Sequence, residues 1–246
     1  MKQVFRDVKK SQYKLSIVIP CYNEEKNIVL IIQRFSEVIN RDDIEVILVN
    51  NGSNDNSEEI IKNLLPKYNF LKTIKIALNQ GYGFGILSGL KIAQGEFVGW
   101  THADMQTDPN DVLKALEIIE KNNSSTDILV KGSRKNREFF DNIFTVGMAI
   151  FETMLLRKFL WEINAQPNIF HKSFMNNLGE APYDFSLDLY VYYMAKIKGL
   201  KIIRFPVLFP QRIHGFSSWN NSFADKWKFI KRTIAFSFKL RKNIKK

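Results

Sequence analysis

Asp104 follows His102 in the stretch His102-Ala103-Asp104-Met105-Gln106, just beyond the apolar run Phe97 to Trp100. A carboxylate at the end of a buried strand can hold a hard divalent cation, which in turn neutralises a diphosphate. It can also be a helix cap or turn residue. His102 could add an imidazole ligand or only pack and hydrogen-bond. Two further polar clusters follow apolar runs in the same way, Pro20-Cys21-Tyr22-Asn23-Glu24 and Asn50-Asn51-Gly52-Ser53-Asn54-Asp55. All three fall where open α/β sheets bind ligands, beyond the carboxyl ends of strands. The glycine fingerprint of a dinucleotide fold is missing after the first strand, and so is a lysine-containing phosphate loop. Gly81-x-Gly83-x-Gly85 reads by itself as a tight turn.

The elements that must carry these clusters alternate. Short apolar runs at Leu15–Pro20, Ile44–Val49, Leu71–Leu78, Gly95–Trp100 and Ile128–Val130 predict buried strands. Between them lie amphipathic segments. Ile28, Ile31, Ile32, Phe35 and Ile39 mark one face of a helix that Asn23 could cap, and Asp108 with Pro109 starts another. This order predicts an α/β fold, a mostly parallel sheet with helices on both faces. The second half is less regular. It predicts helices at about 141–159 and 187–198, a strand at Ile202–Phe209, and a closing basic, aromatic helix.

The chain has 246 residues, 45% of them hydrophobic, enough for one sizeable core and too apolar for wholesale disorder. Cys21 is the only cysteine, which excludes an internal disulfide and a thiolate zinc site and fits a reducing compartment. No secretory signal is read at the start and no spanning segment is expected; Ile143 to Trp161 carries Glu152, Arg157 and Lys158. The expected location is cytoplasmic, at most peripheral on the cytoplasmic face of a membrane. Of the net charge of +11, the segment from Phe223 to Lys246 holds nine Lys or Arg against one Asp. The rest is close to balanced, which argues against a nucleic-acid-coating protein.

Taken in register, the motifs resemble a known family. SIVIPCYNEEKNI, VILVNNGSNDNS, NQGYGFGILSGLKIAQGE, HADMQTDP, KGSR, FSLDLYVYYMAKIKGLKI and RIHGFS, between residues 16 and 217, are similar to segments of family 2 glycosyltransferases of the GT-A fold. Within that family the resemblance is to the polyprenyl-phosphate sugar transferases. It implies a catalytic domain over 1–218 and a separate basic amphipathic element over 219–246. The implied activity is metal-dependent and inverting: a sugar moves from a nucleotide donor, UDP- or GDP-linked, to a lipid-linked or glycan acceptor in polysaccharide or glycolipid assembly.

The resemblance also assigns roles. Pro20, Tyr22 and Glu24 would line the nucleotide pocket with Cys21 as an apolar wall, and Asn51 would face the base or ribose. Asp104, with His102 as a second candidate ligand, would hold Mg2+ or Mn2+, and Gln106 would lie near the sugar. Asp188 is the candidate general base, or a positioning group if the acceptor is an ionised lipid phosphate. Arg134, Gln166, Arg212 and Ser217 fall on the phosphate and acceptor side, Arg134 either meeting phosphate or orienting a carboxylate.

Departures from the family pattern keep a second reading open. Asn50 and Asn51 stand where it has paired aspartates, His102 replaces the first carboxylate of Asp-x-Asp, and Ser218 stands where lipid-phosphate transferases usually place lysine. Such changes fit altered specificity or a catalytically silent binding or regulatory module of the same fold. In the closing helix Phe223, Trp227, Ile230, Ile234 and Phe238 share one face. That face either rests on an anionic membrane surface or packs on the domain. Nucleic acid is not an expected partner.

Overall fold

The computed structural model describes residues 11–135, 139–210, 212–214 and 223–244. Five buried runs become strands, each followed by a helix: β1 (Tyr13–Cys21), α1 (Glu25–Val38), β2 (Ile44–Asn51), α2 (Ser57–Leu64), β3 (Leu71–Ile76), α3 (Tyr82–Ile92), β4 (Gly95–Trp100), α4 (Pro109–Lys121), β5 (Ile128–Lys135) and α5 (Phe139–Leu156). The remainder folds as β6 (Asn168–His171), α6 (Ser186–Ile197), β7 (Lys201–Leu208) and α7 (Phe223–Ile244). Among the described residues the strands form a single sheet in the order β3-β2-β1-β4-β6-β5-β7. Only β6 runs against its neighbours, β4 and β5.

Strand alternation divides the core. Leu15, Ile17, Ile19 and Cys21 of β1 point to one face, where Ile28, Ile31 and Phe35 of α1 and Val112, Leu116 and Ile119 of α4 cover them. Val18, Ile47, Val49 and Leu129 point to the other, under Ile86 and Leu90 of α3 and Leu187, Val191 and Tyr192 of α6. Asp108 caps α4 as expected, its carboxylate accepting from the Asn110 N–H at 2.8 Å ahead of Pro109. Asn23 does not cap α1. It takes a left-handed φ of 57°, and its Oδ1 accepts from the Asn54 N–H at 2.9 Å, so it joins the turns after β1 and β2.

Strand β6 was not anticipated. The segment Asn164-Ala165-Gln166-Pro167 leads directly into it, and two glycines admit it. A Cβ at Gly99 would collide with the Asn168 carbonyl, and one at Gly132 with the Gln166 carbonyl. The backbone of 166–168 therefore lies closer to β4 and β5 than any side-chain-bearing residue would allow. This wedge carries Gln166 and Asn168 into the sheet.

The last helix packs through a different set of residues from its aromatic stripe. Its buried residues are Thr233, Ser237 and Leu240, with Phe236 packed on the core, while Trp227 and Phe238 are about half exposed. Helix α7 lies along α5 through a Ser237 Oγ–Glu152 Oε1 contact of 2.8 Å and the ring pair Phe151–Phe238. Of the stripe, Trp227 and Phe238 thus keep about half their surface outward, and Ile150 and Met154 of α5 are exposed as well. Among the described residues no helix is long and apolar enough to cross a membrane.

Candidate active site

The carboxyl end of β4 delivers Asp104 in a turn that closes on itself: its Oδ1 accepts from the Gln106 N–H at 3.1 Å, with Met105 at a φ of 59°. Asp104 is buried, and its Oδ2 lies 2.8 Å from Nη2 of Arg212. The Arg212 Nε donates to Gln106 Oε1 at 3.0 Å, and Gln106 Nε2 donates to the Pro210 carbonyl at 3.1 Å. One carboxylate oxygen and one carboxamide oxygen therefore converge on a single cationic group. Hard divalent cations take this kind of donor, Mg2+ in particular using one or two carboxylates and completing its shell with water and substrate phosphates. The residues fit a metal held jointly with a diphosphate. They do not fit a metal held by protein alone, since among the described residues no three His, Cys, Asp or Glu side chains cluster.

His102 takes a different neighbour. Its ring lies 5.7 Å from that of Tyr82, which stacks at 4.7 Å on Phe185. Arg232 of α7 lies over Phe185 and pairs with Asp184 at 3.1 Å, so α7 braces this aromatic wall.

The turn after β1 lies in the same electrostatic field. Burial raises the Glu24 carboxyl above its ordinary value; its 2.6 Å bond from Asn27 opposes this, Asp104 adds to the rise and Arg212 reduces it. Tyr22 is exposed beside it and Pro20 is half-buried. Burial also pushes the Cys21 thiol far up, with Glu24 and Asp55 adding to the effect, so it is a neutral apolar wall and no nucleophile. Asn51 is buried. Its Nδ2 donates to the Gly81 carbonyl at 3.0 Å, and its Oδ1 has no protein partner. It ties β2 to the start of α3 and keeps one acceptor unsatisfied.

Deeper in the sheet sits a second constellation. Asp188, at the start of α6, accepts at Oδ1 from Gln166 Nε2 (2.8 Å), Asn168 Nδ2 (3.1 Å) and Trp100 Nε1 (3.1 Å). Burial and the adjacent Asp188 carboxylate raise the Tyr82 phenol well above its ordinary value. Arg134 is committed to a carboxylate rather than open to phosphate: its Nε lies 2.8 Å from Glu162 Oε2, with both side chains buried. Ser217 lies outside the described residues.

The structure thus brings Glu24, Asp104, Gln106 and Arg212 together, and separately Gln166 with Asp188. Sequence reasoning missed Trp100, Lys131, Glu162 and Asn168. Lys131 had left a trace, a lysine at the end of the run Ile128-Leu129-Val130 where alternation demands a buried side chain.

Comparison with known proteins bears on the family and the fold. The undecaprenyl-phosphate 4-deoxy-4-formamido-L-arabinose transferase of Aeromonas hydrophila is 32% identical over 107 residues, 42% of this chain and 32% of that protein. Dolichol-phosphate mannosyltransferase of Pyrococcus furiosus is 29% identical over 149 residues, 59% of this chain and 42% of that protein. These matches span less than half the length of either relative. Among solved structures, a mannosyltransferase from Pyrobaculum calidifontis in complex with GDP-Man and Mn2+ superposes with a TM-score of 0.68. The superposition covers 94% of this chain and 65% of that one at 17% identity, and it shows a shared fold, that of the GT-A glycosyltransferases. Residues 16–187 match the description "Glycosyl transferase family 2", and the chain belongs to that family.

Proposed function

We propose that this chain transfers a sugar from a nucleoside diphosphate donor to a lipid-linked or glycan acceptor, with inversion at the anomeric carbon. The observation that carries this reading is the convergence of Asp104 Oδ2 and Gln106 Oε1 on one cation at the end of β4. In the proposed reaction these two residues hold Mg2+ or Mn2+. When bound, the metal offsets the charge of the diphosphate as the nucleotide leaves. Arg212 turns its planar fork from Asp104 to phosphate oxygens. Tyr22 and Pro20 flank the base, with Cys21 behind them. Asp188 faces the acceptor half, taking a hydroxyl proton from a glycan acceptor or positioning an ionised lipid phosphate. The outward side of α7, with Trp227 and Phe238 among exposed Lys231, Arg232 and Lys239, supports contact with an anionic membrane surface on the side of that acceptor.

Calorimetric titration with UDP and GDP, each with and without Mn2+ or Mg2+, tests the reading. One nucleotide is expected to bind in a metal-dependent manner, and Asp104→Ala is expected to abolish it in a folded protein. Absence of binding with either metal would favour the silent module instead. That second reading draws on His102, which sits against Tyr82 where the family pattern has a carboxylate.

A further inference from the structure

Lys131 is fully buried on β5 and belongs to no part of the mechanism described so far. Strand alternation turns it to the α6 face, where its Nζ lies 5.8 Å from the Tyr192 ring centroid. There it donates to two acceptors, the Ala165 carbonyl at 2.7 Å and Asn168 Oδ1 at 2.7 Å. The second bond has a consequence two side chains away. An amide whose oxygen is taken by a lysine must turn its NH2 the other way. Asn168 Nδ2 accordingly donates to Gln166 Oε1 at 2.7 Å and to Asp188 Oδ1 at 3.1 Å. Gln166 is then fixed in turn: with its oxygen occupied, its Nε2 donates to Asp188 Oδ1 at 2.8 Å and to the Tyr82 hydroxyl at 3.3 Å.

The count of hydrogens closes. Two from each carboxamide find acceptors, and both carboxamide oxygens are filled. Asp188 receives only donors, the third from the Trp100 indole at 3.1 Å. Turning either amide over would aim its oxygen at a buried carboxylate and, for Asn168, its NH2 at the lysine, so the donor-only lysine at the head of the chain and the acceptor-only carboxylate at its end demand the same polarity.

We propose that Lys131 is a positioning residue: through Asn168 and Gln166 it fixes the hydrogen-bond polarity that holds the Asp188 carboxylate in place. The assignment of a role to Asp188 rests on the proposed transfer; the relay itself does not. The relay belongs to the ammonium form, because a neutral amine also carries a lone pair that can accept from an amide NH2. Burial brings the ammonium down to about 7, opposed by Asp188 and Glu162 and reinforced by Arg204 and Arg134. These are the charged groups facing it from α6, β7, β5 and the segment before β6.

The test uses the 15N-labelled 246-residue chain, in which Trp100 is one of four indole N–H signals. Lys131→Met is expected to move the Trp100 indole and the carboxamide signals of Asn168 and Gln166. Tyr192→Phe, which alters the same packing without touching the relay, leaves them in place. A folded Lys131→Met protein with these three signals unmoved overturns the proposal, and so does Tyr192→Phe moving them as far. If Lys131→Met does not fold, the double variant with Asp188→Asn removes both buried charges and is expected to restore folding. A double variant that stays unfolded also overturns it. None of these readouts requires turnover, so the relay can fail while the transferase reading stands, and the reverse.

Discussion

Glu152 should keep its proton until near neutral pH, and removing its carboxyl should stabilise the protein by an amount that grows with pH. The side chain is fully buried between α5 and α7. Ser237 Oγ lies 2.8 Å from its Oε1 and 2.9 Å from the Thr233 carbonyl. A hydroxyl has one hydrogen, and the carbonyl can only accept. The one Ser237 hydrogen is therefore divided between the Glu152 carboxyl and the Thr233 carbonyl, and it compensates an ionised Glu152 only in part. Its other oxygen has no partner, which an ionised carboxylate would tolerate poorly. Burial accordingly raises the group from 4.5 to about 7, opposed only by the Ser237 contact.

The sign follows from linkage. Below the unfolded value both states are neutral and nothing is lost. As pH rises the unfolded chain ionises first, so stability falls until the folded group ionises as well, near 7. A shift of that size corresponds to about 3 kcal/mol. Glu152→Met keeps the volume and leaves Ser237 its bond to Thr233. Its stability advantage over the natural protein, from urea unfolding, should widen by about 3 kcal/mol between pH 4 and pH 8, roughly 6–12 °C in Tm. Taking the difference between the two proteins cancels every other titrating group. A gap that stays constant across that range would refute the reasoning.

Two other perturbations address the surfaces that meet ligands. Arg212→Ala leaves Asp104 Oδ2 without its partner, so binding of Mn2+ alone, followed by electron paramagnetic resonance, should strengthen about fivefold, as loss of a part-exposed charge pair worth about 1 kcal/mol predicts. Binding of the Mn2+–nucleotide complex should weaken in the same variant, and a change in the same direction for both would contradict the proposed turn of Arg212. Trp227→Ser with Phe238→Ser should reduce cosedimentation with phosphatidylglycerol vesicles at least tenfold while changing stability little, since both rings are about half exposed. Equal retention by neutral phosphatidylcholine vesicles would count against an electrostatic contribution.

The parts of the fold that were legible in the sequence share a cause. Buried parallel strands read as continuous apolar runs, which is why β1, β2 and β4 emerge from composition alone. Strand β6 is four residues long, begins with Asn168 and follows a proline. Nothing in it resembles a strand, and it exists because Gly99 and Gly132 on other strands leave room for its backbone. The stripe on α7 was read with the correct period, but periodicity does not say which face packs. That was decided by Glu152, which selects Ser237 and Thr233 as the inner side over a more apolar face. In the site, Asp104 came from its place after a buried strand, and Gln106 and Arg212 from the family resemblance. Lys131, Asn168 and Trp100 act through the adjacency β4-β6-β5, which no local stretch encodes.

The two halves of the site, donor and acceptor in the proposed reading, are held by different physics, and this bears on what each can do. The donor half rests on an ion pair with Arg212 about a quarter exposed, so salt and ligand compete with it directly. Such a contact is suited to being exchanged for a metal and a diphosphate. The acceptor half rests on buried amides, an indole and a lysine that satisfy one another completely, and solvent ions do not reach it. Exchange there would strand a carboxylate in the core, so Asp188 has one orientation to offer. A transferase needs this division: a donor site that opens and refills at each turnover, set against an acceptor group that stays still. In the proposed reading, the replacement of carboxylates by His102, Asn50 and Asn51 lowers negative charge near the exchangeable side and leaves the three donors to Asp188 in place.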